Sequence, residues 1–111
     1  MTRPFPPVKD IREAVKEVIK SNKNDGLRPQ RFSNITANGD IPDLKLVCER
    51  LIENDEILEE LEKGFKQCNS MLILEDFVAV HGQSWGFKES TLIKAKARVH
   101  YFNHLAGFPR Y

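Results

Sequence analysis

The stretch ESTLIKAKARVHYFNHLAG, near the C-terminal end of this 111-residue chain, limits the fold more than any other feature. Leu92, Ala95, Val99, Phe102 and Ala106 recur every three or four residues, which is the spacing of one face of an α-helix. A second stripe of Ile93, Ala97, His100 and His104 runs beside the first. Together the two stripes take up well over half of the helical circumference and leave mainly Lys94, Arg98 and Tyr101 for water. A helix apolar that far round is either central to a bundle or shared with another subunit. Ser90 is placed to cap its start, and Gly107 to end it in a left-handed conformation, with Pro109 blocking continuation.

The rest of the chain reads as shorter helices. After an extended lead over residues 1–7, Val8, Ile11, Ala14, Val15, Val18 and Ile19 form one apolar stripe, stopped by SNKNDG. Residues 23–40 lack periodicity and read as a long connection, which Leu27, Phe32 and Ile35 could pin to the core. Asp40 or Asp43 can cap a helix carrying Leu44, Val47, Cys48, Leu51 and Ile52, and Asp55 can cap the next, with Ile57, Leu58, Leu61, Phe65 and Cys68 on its face. The run SMLILEDFVAVHG has the β-branched and aromatic content of a strand, but Leu74, Phe77, Val78 and His81 repeat at helical spacing and favour a short helix ending at Gly82. The expected fold is all-α: four or five short helices packed around the C-terminal one, as a single domain over residues 1–111.

Net charge is +1, but unevenly distributed: +4 over residues 1–36, −7 over 37–76 and +4 over 77–111. Such a chain either sets an acidic face against a basic one internally or offers two surfaces to different partners. Much of the acidic block has a local reason, since Glu59–Lys63 and Glu62–Lys66 are favourable i,i+4 pairs. No apolar run reaches the roughly 20 residues that cross a bilayer, so no membrane role is expected. The first residues lack the apolar segment of a secretory signal, and a cytoplasmic location is expected. Cys48 and Cys68 sit at apolar helical positions and read as buried free thiols.

GQSWG, residues 82–86, matches the G-x-S-x-G elbow that presents a nucleophilic serine above a sheet. The pattern lacks its context here. After Ser84 the acidic residue available is Glu89, and His100 lies at least ten residues into the following helix, about 15 Å from its start at 1.5 Å per residue. The chain is therefore expected not to be an enzyme and to need no cofactor. His100 and His104 have a spacing able to hold a metal, but sequence supplies no third ligand, and no metal site is expected.

Two functional readings remain. In the first, the chain is a non-enzymatic interaction module, binding itself or another protein through Ile93, Ala97, His100 and His104, with Trp85 and Phe87 as loop anchors. In the alternative it is a small DNA-binding regulator, using Arg28, Arg31, Lys88, Lys94 and Arg98, with a segment loosely like a helix-turn-helix. A net charge near zero gives that alternative little general attraction to phosphate.

Overall fold

A computed structural model describes residues 4–27, 30–36 and 41–111, with backbone alone at 30, 31, 35, 41 and 42. The described residues form six α-helices and no strand: α1 (Ile11–Asn24), α2 (Gln30–Thr36), α3 (Ile41–Glu53), α4 (Glu56–Gln67), α5 (Leu74–His81) and α6 (Glu89–Ala106). As the C-terminal pattern requires, α6 is the pivot. It packs along α5 and also against α3, while α1 meets both α3 and α5.

Local chemistry sets the boundaries, and some differ from those read in the sequence. α1 begins three residues later than the apolar repeat suggests, because Asp10 takes the N-cap and accepts a hydrogen bond from the Glu13 backbone N–H at 3.0 Å. It also continues through SNKN to Asn24. The expected loop over 23–40 contains α2, whose Thr36 hydroxyl donates back to the Phe32 carbonyl at 2.7 Å. Asp40 lies outside the described residues. Asp55 makes no side-chain cap for α4; Asn54 Oδ1 accepts from the Glu56 backbone N–H instead.

The segment 71–78 is buried at every position, including Glu75 and Asp76. That explains why its sequence carried a strand-like composition beside the helical spacing: an element covered on all sides has no polar face to reveal its period. It resolves into extended residues 71–73 followed by α5. The main core joins Ile11, Val15 and Val18 of α1 to Leu44, Cys48 and Ile52 of α3 and to Phe77 and Val78 of α5. A second cluster gathers Phe65 of α4, Met71, Ile73 and Phe102. α4 stands apart from the rest. Among the described residues it pairs with no helix as extensively as the others do, and this second cluster is its main attachment.

α6 starts at Glu89 with Lys88 at its N-cap, so Ser90 falls inside the first turn and is not the cap. The cap comes from α3: Glu49 Oε2 accepts the Lys88 backbone N–H at 2.9 Å. Glu53 Oε2 accepts from the Thr91 hydroxyl at 3.2 Å. Two carboxylates thus meet the positive end of the helix dipole. The other end matches the sequence reading, with Gly107 left-handed at φ 79°.

Candidate functional site

Lys88, Lys94, Arg98 and Arg110 of the C-terminal third each pair with an acidic residue from the middle of the chain. Lys88 Nζ lies 2.9 Å from Glu53, and Lys94 pairs with Asp55. The Lys88 ammonium holds the Glu53 carboxyl below its ordinary range, and Lys94 does the same for Asp55. Arg98, expected on the wet side of α6, is only 4% exposed. Its guanidinium donates to Glu75 Oε2 at 2.8 Å, to the Asn54 carbonyl at 2.9 Å and to the Leu51 carbonyl at 3.3 Å. The reason is tertiary: the last turn of α3 and the Asn54 carbonyl after it lie beside this position, and an arginine adds a charged donor to them while neutralising a buried glutamate. These pairs set part of the acidic block against the basic C-terminal third within the fold. Of the remaining basic candidates, Arg28 and the Arg31 side chain lie outside the described residues.

A second buried arginine escaped sequence reading altogether. Arg110 is fully buried, with Nη2 at 2.6 Å from Asp76 Oδ1 and Nη1 at 3.2 Å from Oδ2. It also donates to the Met71 carbonyl and, through Nε at 2.9 Å, to Asn103 Oδ1. Burial pushes the Asp76 carboxyl up to about 6, with Arg110 and the Ile73 N–H pulling the other way. Beside it, the Tyr111 hydroxyl donates to the Ser70 carbonyl, and its ring meets Phe5 edge-on at 5.9 Å. A signal for this network was present in the sequence: two adjacent carboxylates inside MLILEDFVAV must find cationic or hydrogen-bonding partners once buried.

The GQSWG loop is structural in every described contact. Ser84 Oγ donates to the His81 carbonyl at 3.0 Å. Gly82 is needed for close approach, since a Cβ there would sit 2.4 Å from the Val78 carbonyl oxygen and 2.5 Å from Leu92 Cδ2. Trp85 stacks on His81 at 5.0 Å, and its indole N–H donates to the Lys9 carbonyl at 3.2 Å, strapping the N-terminal lead down. Phe87 is 5% exposed and belongs to the core, so it is not an exposed loop anchor. Cys48 is buried, and burial with Glu75 and Glu49 nearby pushes its thiol up to about 12, which keeps it protonated and unreactive. Cys68, expected to be buried, is partly exposed, with its Sγ 3.5 Å from Ser70 Oγ.

The stripe of Ile93, Ala97, His100 and His104 lies together on the outer side of α6, and all four are exposed. Ile93 is 62% exposed, and Tyr101 and Leu105 extend the same surface. The first apolar stripe of α6 faces the core, with Ala95 and Phe102 fully buried. Among the described residues, no third metal-ligating group joins His100 and His104, and no helix is long and apolar enough to cross a membrane.

One further feature, unforeseen from sequence, is a cavity of about 430 Å³ beneath α4. Ile57, Leu61 and Gly64 form its roof, Val18 and Asn22 of α1 one wall, and the segment from Met71 to Glu75 its floor. Glu60 stands exposed at its rim. Asn22 is buried, and its Oδ1 has no hydrogen-bond partner. No protein-family model, curated protein or solved structure matches the chain, so every functional reading rests on this geometry.

Proposed function

We propose that this protein is a non-enzymatic interaction module that associates with a second copy of itself through the outer face of α6. The observation that carries the reading is the exposed stripe of Ile93, Ala97, His100 and His104, left over after the opposite side of α6 has filled the core. Ala97, the smallest of these side chains, lies between Ile93 and His100, where two crossing helices come closest in a two-fold arrangement. Ile93 of each copy then meets the Tyr101 region of the other.

Size sets the strength. Eighteen helical residues give a strip about 27 Å long and about 10 Å wide, roughly 270 Å² per copy. A stable standard-size interface takes about 800 Å² per partner. The association is therefore weak and reversible. It is tested by sedimentation velocity across a wide concentration range. The expected result is a mass rising with concentration in the unsubstituted chain and monomeric at all concentrations in Ile93→Lys. A monomer throughout in the unsubstituted chain would overturn the proposal. The alternative, a DNA-binding regulator, has less support, because Lys88, Lys94 and Arg98 are engaged by Glu53, Asp55 and Glu75.

A further inference from the structure

The lysines of α1 have no counterpart to the ion pairs that engage Lys88 and Lys94. Ile11, Ala14, Val15 and Val18 are buried, which turns Arg12, Lys16, Lys20 and Lys23 to the exposed side of the helix. At about 100° of turn per residue, these four fall within a sector of roughly 80° and form one narrow basic stripe. Among the described residues, none of Lys16, Lys20 and Lys23 forms an ion pair. Glu13 and Glu17 border the stripe half-buried, and Glu13 accepts instead from the Lys9 backbone N–H at 3.1 Å. Like charges three and four residues apart weaken a helix, so nothing within α1 accounts for the stripe. Packing of α1 on α3 and α5 holds it in place all the same. We infer that the outer face of α1 binds the phosphate backbone of double-stranded nucleic acid without reading its sequence.

The chemistry of the stripe favours this partner over other anions. A single protein carboxylate offers an exposed lysine little, because both ions stay hydrated and salt screens them. A nucleic acid strand carries condensed counterions, and each lysine that neutralises a phosphate releases them. Lys16, Lys20 and Lys23 stand about 6 and 4.5 Å apart along α1, so each can meet a different phosphate of a strand charged at about every 3.4 Å of rise. A helix lying on a lipid surface needs large apolar side chains beside its basic ones, and those of α1 are spent in the core. Lysine acts as a point charge, suited to contacts that position a protein on the backbone without specifying bases. The net charge of +1 does not oppose this, because cations gathered on one face set the local field. The stripe is separate from the helix-turn-helix-like segment, whose Lys88, Lys94 and Arg98 are engaged within the fold. It also shares no residue with the outer face of α6, so it stands whether or not the chain self-associates.

Fluorescence anisotropy with a labelled random-sequence DNA duplex tests the assignment at about 50 and 200 mM salt. Three phosphate contacts predict a slope of about −2.7 in log affinity against log salt, a loss of about 40-fold over that range. A second duplex of unrelated sequence should bind within about twofold of the first. Lys16→Gln/Lys20→Gln/Lys23→Gln keeps good helix formers at all three positions, and circular dichroism checks its helicity. It should bind about tenfold more weakly or worse at the lower salt and lose most of the slope. Lys63→Gln/Lys66→Gln/Lys96→Gln removes the same charge from exposed positions elsewhere and should bind within about twofold of the unsubstituted chain. Vesicles of phosphatidylserine and phosphatidylcholine should bind more weakly than the duplex. The proposal is overturned by no binding at the lower salt, by a slope shallower than about −1, by equal losses in the two triple variants, or by vesicles that bind as tightly as the duplex.

Discussion

At the scale of single residues, the two buried arginines decide how the chain is held together. Arg98 lies 23 positions from Glu75 in sequence yet forms with it an ion pair shut off from water. Removing one partner of such a pair strands the other, at a cost of about 3–5 kcal/mol. That is a large share of the roughly 5–15 kcal/mol that stabilises a typical domain. Arg98→Met is therefore expected to lower the unfolding free energy in urea by about 3–5 kcal/mol, and Arg98→Met/Glu75→Leu to recover part of the loss. A loss below about 1 kcal/mol would mean the pair behaves as a solvated one. The sequence disguised this residue, because a helical wheel groups Arg98 with Lys94 and Tyr101 and says nothing of what lies opposite. The Leu51 and Asn54 carbonyls and the Glu75 carboxylate that it meets belong to other parts of the chain. No local pattern encodes that meeting.

At the scale of elements, the helices differ in how firmly they are tied. α5 is buried along most of its length and lies against α6, whereas α4 rests on one cluster and roofs a cavity. Amide hydrogens of α4 are expected to exchange faster than those of α5 and the inner face of α6, through opening of α4 alone. Phe65→Ala should speed exchange in α4 and leave α5 nearly untouched, read by hydrogen exchange with mass spectrometry. Exchange of all helices at one common rate would refute this independence. The elements themselves were largely legible, since α1, α3, α4 and α6 carry apolar residues at clear helical spacing. α2 was not, because seven residues between unpatterned flanks make barely two turns. The caps were the least legible feature: Glu49 and Glu53 close the start of α6 from 39 and 38 residues away, where Ser90 stood ready locally.

At the scale of the whole molecule, Phe5 of the N-terminal lead and the C-terminal residues Arg110 and Tyr111 come together at α5. Phe5 packs edge-on against Phe77 at 5.0 Å, and Arg110 and Tyr111 return to the start of α5. Asp76 then sets a pH dependence whose sign follows from its pKa. Held at about 6 in the fold against an ordinary 3.8, it stabilises fully below 3.8, and that contribution is lost as pH rises through 6. Arg110 opposes the loss by favouring the charged form. Arg110→Met is thus expected to destabilise most near neutral pH, and less in acid where the carboxyl is protonated. Chemical denaturation at the two conditions measures it, and an equal penalty at both would contradict the assignment. The cavity illustrates the limit of sequence reading at this scale. Val18, Ile57 and Leu61 each look like ordinary positions of an amphipathic helix, Asn22 reads as part of the stop after it, and only the packing angles leave space between them.

The long reach of the arginines also bears on the order of events as the chain is made. α5 carries two carboxylates that cannot leave water until a cation arrives, and their cations lie 23 and 34 residues farther along. While the polypeptide emerges from the ribosome, the first five helices can therefore form a loose, hydrated assembly but not the finished interior. Closure around α5 waits for α6 to fold back with Arg98 and for Arg110 to reach Asp76, so this part of the interior seals late.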